Sequence, residues 1–273
     1  MSLTEILDLG HAFKRYFEIV PAFSDELKDE VHRIRHEVYC EDLKFEPLQR
    51  DRRESDEYDI DSLHFLLRNV QTQEFIGCAR IISPRPKDPD YPLPFEITCA
   101  DTLDRSIIDP ALLPRHHIAE VSRLAVVASY RRRKGEASKA IDIADEDFGV
   151  AQSRRFPYIP ISLYLGTFEL ARLHKIETLF ILTEERLALH FAKLGFDLKF
   201  IGPPVEHHGI RVPSMMSVSG TIKGMRPNLR PLYDVITEDI KRNLPETGNG
   251  LPGIENEYSG SGPQGIIAVK PAT

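Results

Sequence analysis

The stretch AEVSRLAVVASYRRRKGEASKA, Ala119 to Ala140, decides how this chain is read. It sets Glu120 and Arg123 at the head of an apolar, β-branched run and follows that run with the cations Arg131, Arg132, Arg133 and Lys134, then Gly135. The β-branched content predicts a buried strand, and the glycine predicts a turn that opens a helix near Lys134. A strand that delivers the chain into a helix N-terminus presents unpaired backbone N–H groups and the positive end of the helix dipole, which together make an anion site. A charge run at such a turn reads in two ways, as a phosphate cradle or as a solvated face, and the adjoining glycine favours the cradle.

The rest of the chain supports a folded globular protein. Its 273 residues are 41% hydrophobic, enough for a substantial core. The formal net charge of -7 argues against a general nucleic-acid binder, so the basic run is a local feature. Three cysteines, Cys40, Cys78 and Cys99, are odd in number and lack metal-ligand spacing, which predicts reduced structural thiols and a cytoplasmic protein. The opening residues carry acids within their apolar run, unlike a secretory signal, and nothing later is apolar for long enough to span a bilayer.

Ser24 predicts the cap of a helix whose first turn holds Asp25 and Glu26 and whose apolar face holds Leu27, Val31, Ile34 and Val38, ending near Tyr39. LHFLLRNV and EFIGCARIIS flank QTQE as a β-hairpin, and PRPKDPDYPLP is a loop. Beyond the opening stretch, EASKAIDIADEDFGVAQ continues the helix begun at Lys134. ISLYLGTFELARLHK then reads as a helix, ETLFILT as a buried strand, ERLALHFAKLGF as a helix and PSMMSVSGTI as a late strand. This alternation predicts a mixed α/β sheet in one domain, residues 1–245. Glycine, proline and serine in 246–273 predict an extended or disordered tail.

Arg132 to Ala137 fits the pattern [Q/R]-x-x-G-x-[G/A], the pyrophosphate-cradling signature of the Gcn5-related N-acetyltransferase (GNAT) superfamily, which this chain resembles. LAVVASYRR resembles the superfamily strand that leads into that loop, and ALHFAKLGF resembles its late helix. The resemblance implies an α/β (α+β) fold, a mixed, mostly antiparallel twisted sheet flanked by helices. Arg35, Tyr39, Phe45, Asp56, Asp59, Arg80, Glu120 and Arg123, in that order, resemble the functional positions of acyl-homoserine lactone synthases, a likeness covering most of the chain from Ser24 to Ser219. Tyr39 stands where that family usually has phenylalanine, and Phe45 where it usually has tryptophan. GPPVEHHGIRVP instead resembles long-chain N-acyl amino acid synthases and the acyltransferases associated with exosortase systems, which tilts the expectation away from lactone formation.

The resemblance implies an N-acyltransferase that moves a medium or long acyl chain from a carrier-protein thioester to the amine of an amino-acid-like acceptor. Its donor is acyl-phosphopantetheine on acyl carrier protein, with acyl-coenzyme A second, because Glu136 repels a highly charged nucleotide. Val127, Arg131, Arg132, Arg133, Lys134, Gly135 and Ala137 hold that donor, and the N–H of Val126 or Val127, at a bulge or splay, meets the oxyanion. Glu120 serves as base through a water, with Arg123 as its partner; the simpler reading is that Glu120 pairs with Arg123 or another cation. Arg35 either grips the acceptor carboxylate or forms a salt bridge with Asp56 or Asp59, and Arg80 faces the same choice. Together with Tyr39, Phe45, Asp56 and Asp59 they form the acceptor wall.

Phe191 occupies the place where many members carry a tyrosine that protonates the leaving thiolate; Tyr164 is a weaker substitute, and its plain reading is core. A thiol pKa near about 8.5 lets the thiolate leave unaided. His207 and His208 lack partners at metal-ligand spacing, so no metal is assigned. Two other readings stand beside the first: an acyl-homoserine lactone synthase using S-adenosylmethionine, and a non-catalytic acyl-binding or regulatory module.

Overall fold

The computed structural model describes residues 3–131 and 158–245. The glycine turn, the helix expected from Lys134 and the tail from 246 lie outside the described residues.

Ser24 caps the first anticipated helix, accepting the Leu27 N–H at 3.3 Å, and α2 runs Asp25–Arg35 with Val31 and Ile34 buried. It does not stop near Tyr39. Residues His36–Asp42 continue it as a π-helix, which turns Val38 and Cys40 inward. The expected hairpin is β2 (Ser62–Asn69) and β3 (Phe75–Ile82), paired antiparallel. After the proline-rich loop comes the short α3 (Pro94–Thr98), then the opening stretch as β4 (Ile118–Val126) and a single turn, α4 (Ala128–Arg131). Helix α5 (Tyr158–Leu173), strand β5 (Thr178–Thr183) and helix α6 (Glu185–Lys193) match the elements read from the sequence.

The late strand differs in its end. After β6 (Leu198–Phe200) and β7 (Val205–Glu206), β8 covers Ile210–Ser217, and the chain then forms helix α7 (Val218–Gly224). The cause is local: the Ser217 hydroxyl accepts the Gly220 N–H at 2.9 Å, an N-cap that outcompetes strand pairing for SGTI. Helix α1 (Leu3–Tyr16), strand β1 (Phe17–Pro21) and helix α8 (Arg230–Arg242) complete the described fold.

The strands form one sheet in the order β1-β2-β3-β4-β5-β8-β6, with β7 paired to β8. Every pairing is antiparallel except β4 with β5, which are parallel. One large core joins α1, α2, α5 and α8 to the sheet, and Phe13, Phe65 and Phe168 are fully buried in it. A smaller cluster packs Phe95 of α3 against Phe180 of β5, rings 4.2 Å apart, with Ile82, Ile118 and Ile201 around them. Cys40, Cys78 and Cys99 are free and buried. No helix among the described residues is long and apolar enough to cross a membrane.

Candidate active site

The site begins with how β4 and β5 part. Their parallel pairing runs from Ile118 with Thr178 to Val121 with Ile181 and goes no further along β4. On its other edge β4 pairs with β3, but between Ser122 (opposite Arg80) and Ala125 (opposite Cys78) it holds two residues, Arg123 and Leu124, against the single Ala79. That is a β-bulge, and Arg123 sits in it at φ 49°, a left-handed conformation few non-glycine residues adopt. The opened strand leaves a cleft of about 170 Å³ whose walls include Tyr39, Phe45, Glu120, Arg123, Leu124, Tyr164, Thr183, Glu184, His207, His208 and Arg211.

Strand geometry assigns the backbone groups. Val127 donates its N–H to the Ile76 carbonyl at 2.9 Å, so Ile76 and Val127 are a hydrogen-bonded pair. In an antiparallel ladder the next pair, Gly77 with Val126, is then non-hydrogen-bonded, and the Val126 N–H points to the open edge. Of the two expected oxyanion donors, Val126 has the right direction; the N–H of Val127 is spent on β3. The Leu124 carbonyl shares the open edge, where the Tyr39 hydroxyl donates to it at 2.8 Å. Phenylalanine at position 39 would leave that carbonyl without this donor.

Glu120 is 4% exposed and accepts the Phe95 N–H at 2.8 Å. Burial pushes its carboxyl up to about 8, against the opposing pull of that N–H and of the Arg80 charge. No ion pair joins it to Arg123. Arg123 instead reaches Glu54 at 3.1 Å and Glu46 and Asp56 at 3.3 Å, and lies over the Tyr39 ring. Glu120 therefore stands in the cleft as a carboxyl close to neutrality, and the expected Glu120–Arg123 partnership is replaced by a different network.

That network absorbs Arg35 and Arg80 as well. Arg35, with no exposed surface, holds Glu54 at 2.5 Å and Asp59 at 2.5 Å. Arg80 donates to Asp56 at 2.6 Å, Asp59 at 2.8 Å and Ser122 at 2.9 Å. Burial alone would raise the Asp59 carboxyl, but Arg35 and Arg80 outweigh it and hold Asp59 well below the usual range; Glu54 and Asp56 are lowered in the same way. The salt-bridge reading of Arg35 and Arg80 is the one realised, so neither guanidinium is presented to an acceptor. Glu54, the hinge between Arg35 and Arg123, went unread in the sequence because RDRRESDEYD has no periodicity to single it out.

Tyr39 and Phe45 do line the cleft, and they begin a row of rings. Phe45 stacks on His208 at 4.9 Å and 18°, and His208 meets His207 at 5.0 Å, joining the segment after α2 to the β7–β8 hairpin. Tyr164 of α5 lines the cleft with Thr183 at the end of β5 and packs on Phe191 at 3.9 Å. Arg131 is ion-paired with Asp42. Arg132, Arg133, Lys134, Gly135 and Ala137 lie outside the described residues. Among the described residues no cluster of His, Cys, Asp and Glu is arranged to hold a metal ion.

Residues 34–138 match the family model of the acetyltransferase (GNAT) domain. That segment is similar to GNAT acetyltransferase domains. Solved structures share the fold over most of the chain. TofI, in a ternary complex with an inhibitor and MTA, aligns over 78% of this chain and 99% of its own at 19% identity and TM-score 0.53. The AHL synthase LasI aligns over 80% and 94% at 18% identity and TM-score 0.51. BjaI, a CoA-dependent acyl-homoserine lactone synthase with SAM and isopentyl-CoA, aligns over 81% and 89% at 19% identity and TM-score 0.53. At these identities the likeness establishes the GNAT fold and not the substrates. No curated protein sequence matches this chain.

Proposed function

We propose that this GNAT domain transfers a medium or long acyl group from a phosphopantetheine thioester, carried by acyl carrier protein, to the amine of an amino-acid-like acceptor. The observation that carries the reading is Glu120, a buried carboxyl with pKa raised to about 8, in the cleft beside an open strand edge toward which the Val126 N–H points. An amine near neutral pH is mostly protonated and must lose a proton to attack, and a carboxyl tuned toward the working pH is suited to take it. The amine lone pair attacks the thioester carbon, and the Val126 N–H donates to the oxygen as it gains charge. The C–S bond then breaks as the amide forms; of the two protons that the ammonium sheds, one passes through a water to Glu120 and the second goes to the departing thiolate, directly or relayed by the Tyr164 hydroxyl.

The parting of β4 and β5 supports a pantetheine arm lying between them, with Arg132, Arg133, Lys134, Gly135 and Ala137 as the phosphate segment. A cleft of about 170 Å³ suits an amino-acid-sized acceptor better than a nucleoside-bearing one, since pockets for larger ligands run to roughly 300–1,000 Å³. A second reading, lactone synthesis with S-adenosylmethionine, draws on the lactone synthases BjaI and LasI among the structural neighbours.

The deciding experiment incubates the purified protein with dodecanoyl-acyl carrier protein or dodecanoyl-coenzyme A, the twenty amino acids and S-adenosylmethionine, and weighs the small-molecule products. An N-dodecanoyl amino acid establishes the proposed reaction. An acyl lactone with methylthioadenosine establishes the second, and absence of any product, with acyl donor still bound, points to a binding module.

A further inference from the structure

With Arg35 and Arg80 consumed in the buried network, the cleft wall retains two guanidiniums among the described residues, Arg123 and Arg211. They differ in what surrounds them. Arg123 is matched by three carboxylates, Glu46, Glu54 and Asp56, all within 3.3 Å. Arg211 has one carboxylate partner among the described residues, Glu184, and at 3.5 Å that contact is long. Its orientation comes from its own hairpin: Nη2 donates to the His208 carbonyl at 2.9 Å and Nη1 to the Ile210 carbonyl at 3.2 Å. Neutral carbonyls hold the fork in place without cancelling its charge. The side chain is also reachable: it is 20% exposed and lines the cleft.

Its position on the fold is equally specific. Val212 pairs with Thr183 at the last rung between β5 and β8, so Arg211 stands one residue past the point where β5 ends. Gly209, at φ 94°, turns the hairpin tip so that His207 and His208 lie on the cleft beside it. Glu120 lies on β4, on the other side of the parted strands.

We propose that Arg211 receives the carboxylate of the acceptor, which makes the acceptor a molecule carrying a carboxylate next to its amine, an α-amino acid in the simplest case. Planar, two-pronged pairing with a carboxylate is what a guanidinium does and an ammonium does not. With the carboxylate on β8 and the amine directed toward β4, the nucleophile enters the gap where the thioester lies. Glu184 is the internal competitor for the same fork. The inference rests on the acyltransferase reading and adds the group that selects the acceptor.

The test uses dodecanoyl-acyl carrier protein as donor and compares the twenty amino acids with the corresponding amino acid amides, which keep the amine and lose the carboxylate charge. Arg211→Ala is expected to raise KM for the acids at least tenfold while leaving KM for the amides and for the donor within twofold. Arg211→Lys is expected to fall between parent and Arg211→Ala. Glu184→Gln, which removes the competitor, is expected to lower KM for the acids, an improvement that misfolding cannot produce. An unchanged acid-to-amide ratio in Arg211→Ala overturns the assignment while the acyltransferase reading stands. Absence of amide product from the parent with either acceptor set removes the reading and the inference together.

Discussion

Arg35 lies fully buried between Glu54 and Asp59, so its removal leaves two carboxylates in a low-dielectric interior with one counter-charge fewer. Arg35→Ala is expected to lose about 3–5 kcal/mol of stability in denaturant unfolding, the range for breaking a buried pair from one side. Glu120 titrates in the opposite sense. Its folded-state pKa, raised by burial to about 8 from the usual 4.5, means that the folded state holds the proton more tightly than the unfolded chain. The stabilising contribution is therefore full below pH 4.5, declines as pH rises and is gone above about 8. Glu120→Gln does not titrate, so its stability relative to the parent is expected to climb across that window and then level off, measured by melting at matched ionic strength. In turnover the same substitution is expected to abolish the rise of kcat toward pH 8 and to matter less at higher pH, where the amine deprotonates by itself. Equal pH profiles for variant and parent would remove Glu120 from the mechanism.

At the scale of elements, Gly195 explains why a Gly-Phe pair closes α6. It sits at φ 90°, and a Cβ there would lie 2.4 Å from the Gly224 carbonyl oxygen at the end of α7. Phe196 then stacks on Phe191 at 5.2 Å and meets Phe168 of α5 edge-on. Gly195→Ala is expected to cost about 2 kcal/mol or more, combining the left-handed backbone with overpacking against a carbonyl that cannot move alone; thermal unfolding checks it. Elements of this kind were legible because their signals are local: the Ser24 cap, the apolar run Thr178–Thr183, the ALHFAKLGF helix with its glycine stop. The fate of the charged residues was not. Arg35 chooses Glu54, Arg123 chooses Glu54 over Glu120, and both choices join segments separated by 19 and 69 residues, through a stretch, RDRRESDEYD, where eight of ten side chains are charged. Periodicity reports which face is buried; it does not report which acid an arginine will find. The bulge at Arg123 was anticipated in kind and displaced in position, since sequence carries no marker for a left-handed arginine.

Across the whole molecule, the segments left unread in the sequence are those that depend on each other from opposite ends. Helix α8 packs on α1, α5 and β1, and Asp239, 1% exposed, accepts the Ile19 N–H from β1 at 3.4 Å. Glu18 is shared by Arg68 of β2 and by Arg242 and Asn243 at the end of α8. Contacts spanning 220 residues leave no trace in any short window of sequence. A chain ending after Leu229 is expected to lose cooperative unfolding, because β1 loses the partner of an edge N–H and Phe13 loses cover; a cooperative melt in that truncation would show that α8 is dispensable. The clasp also imposes an order on biosynthesis. While a ribosome is still extending the chain past β8, β1 and α1 have no α8 to close on, and the apolar faces they keep for it stay open to chaperones and to other nascent chains until α8 emerges.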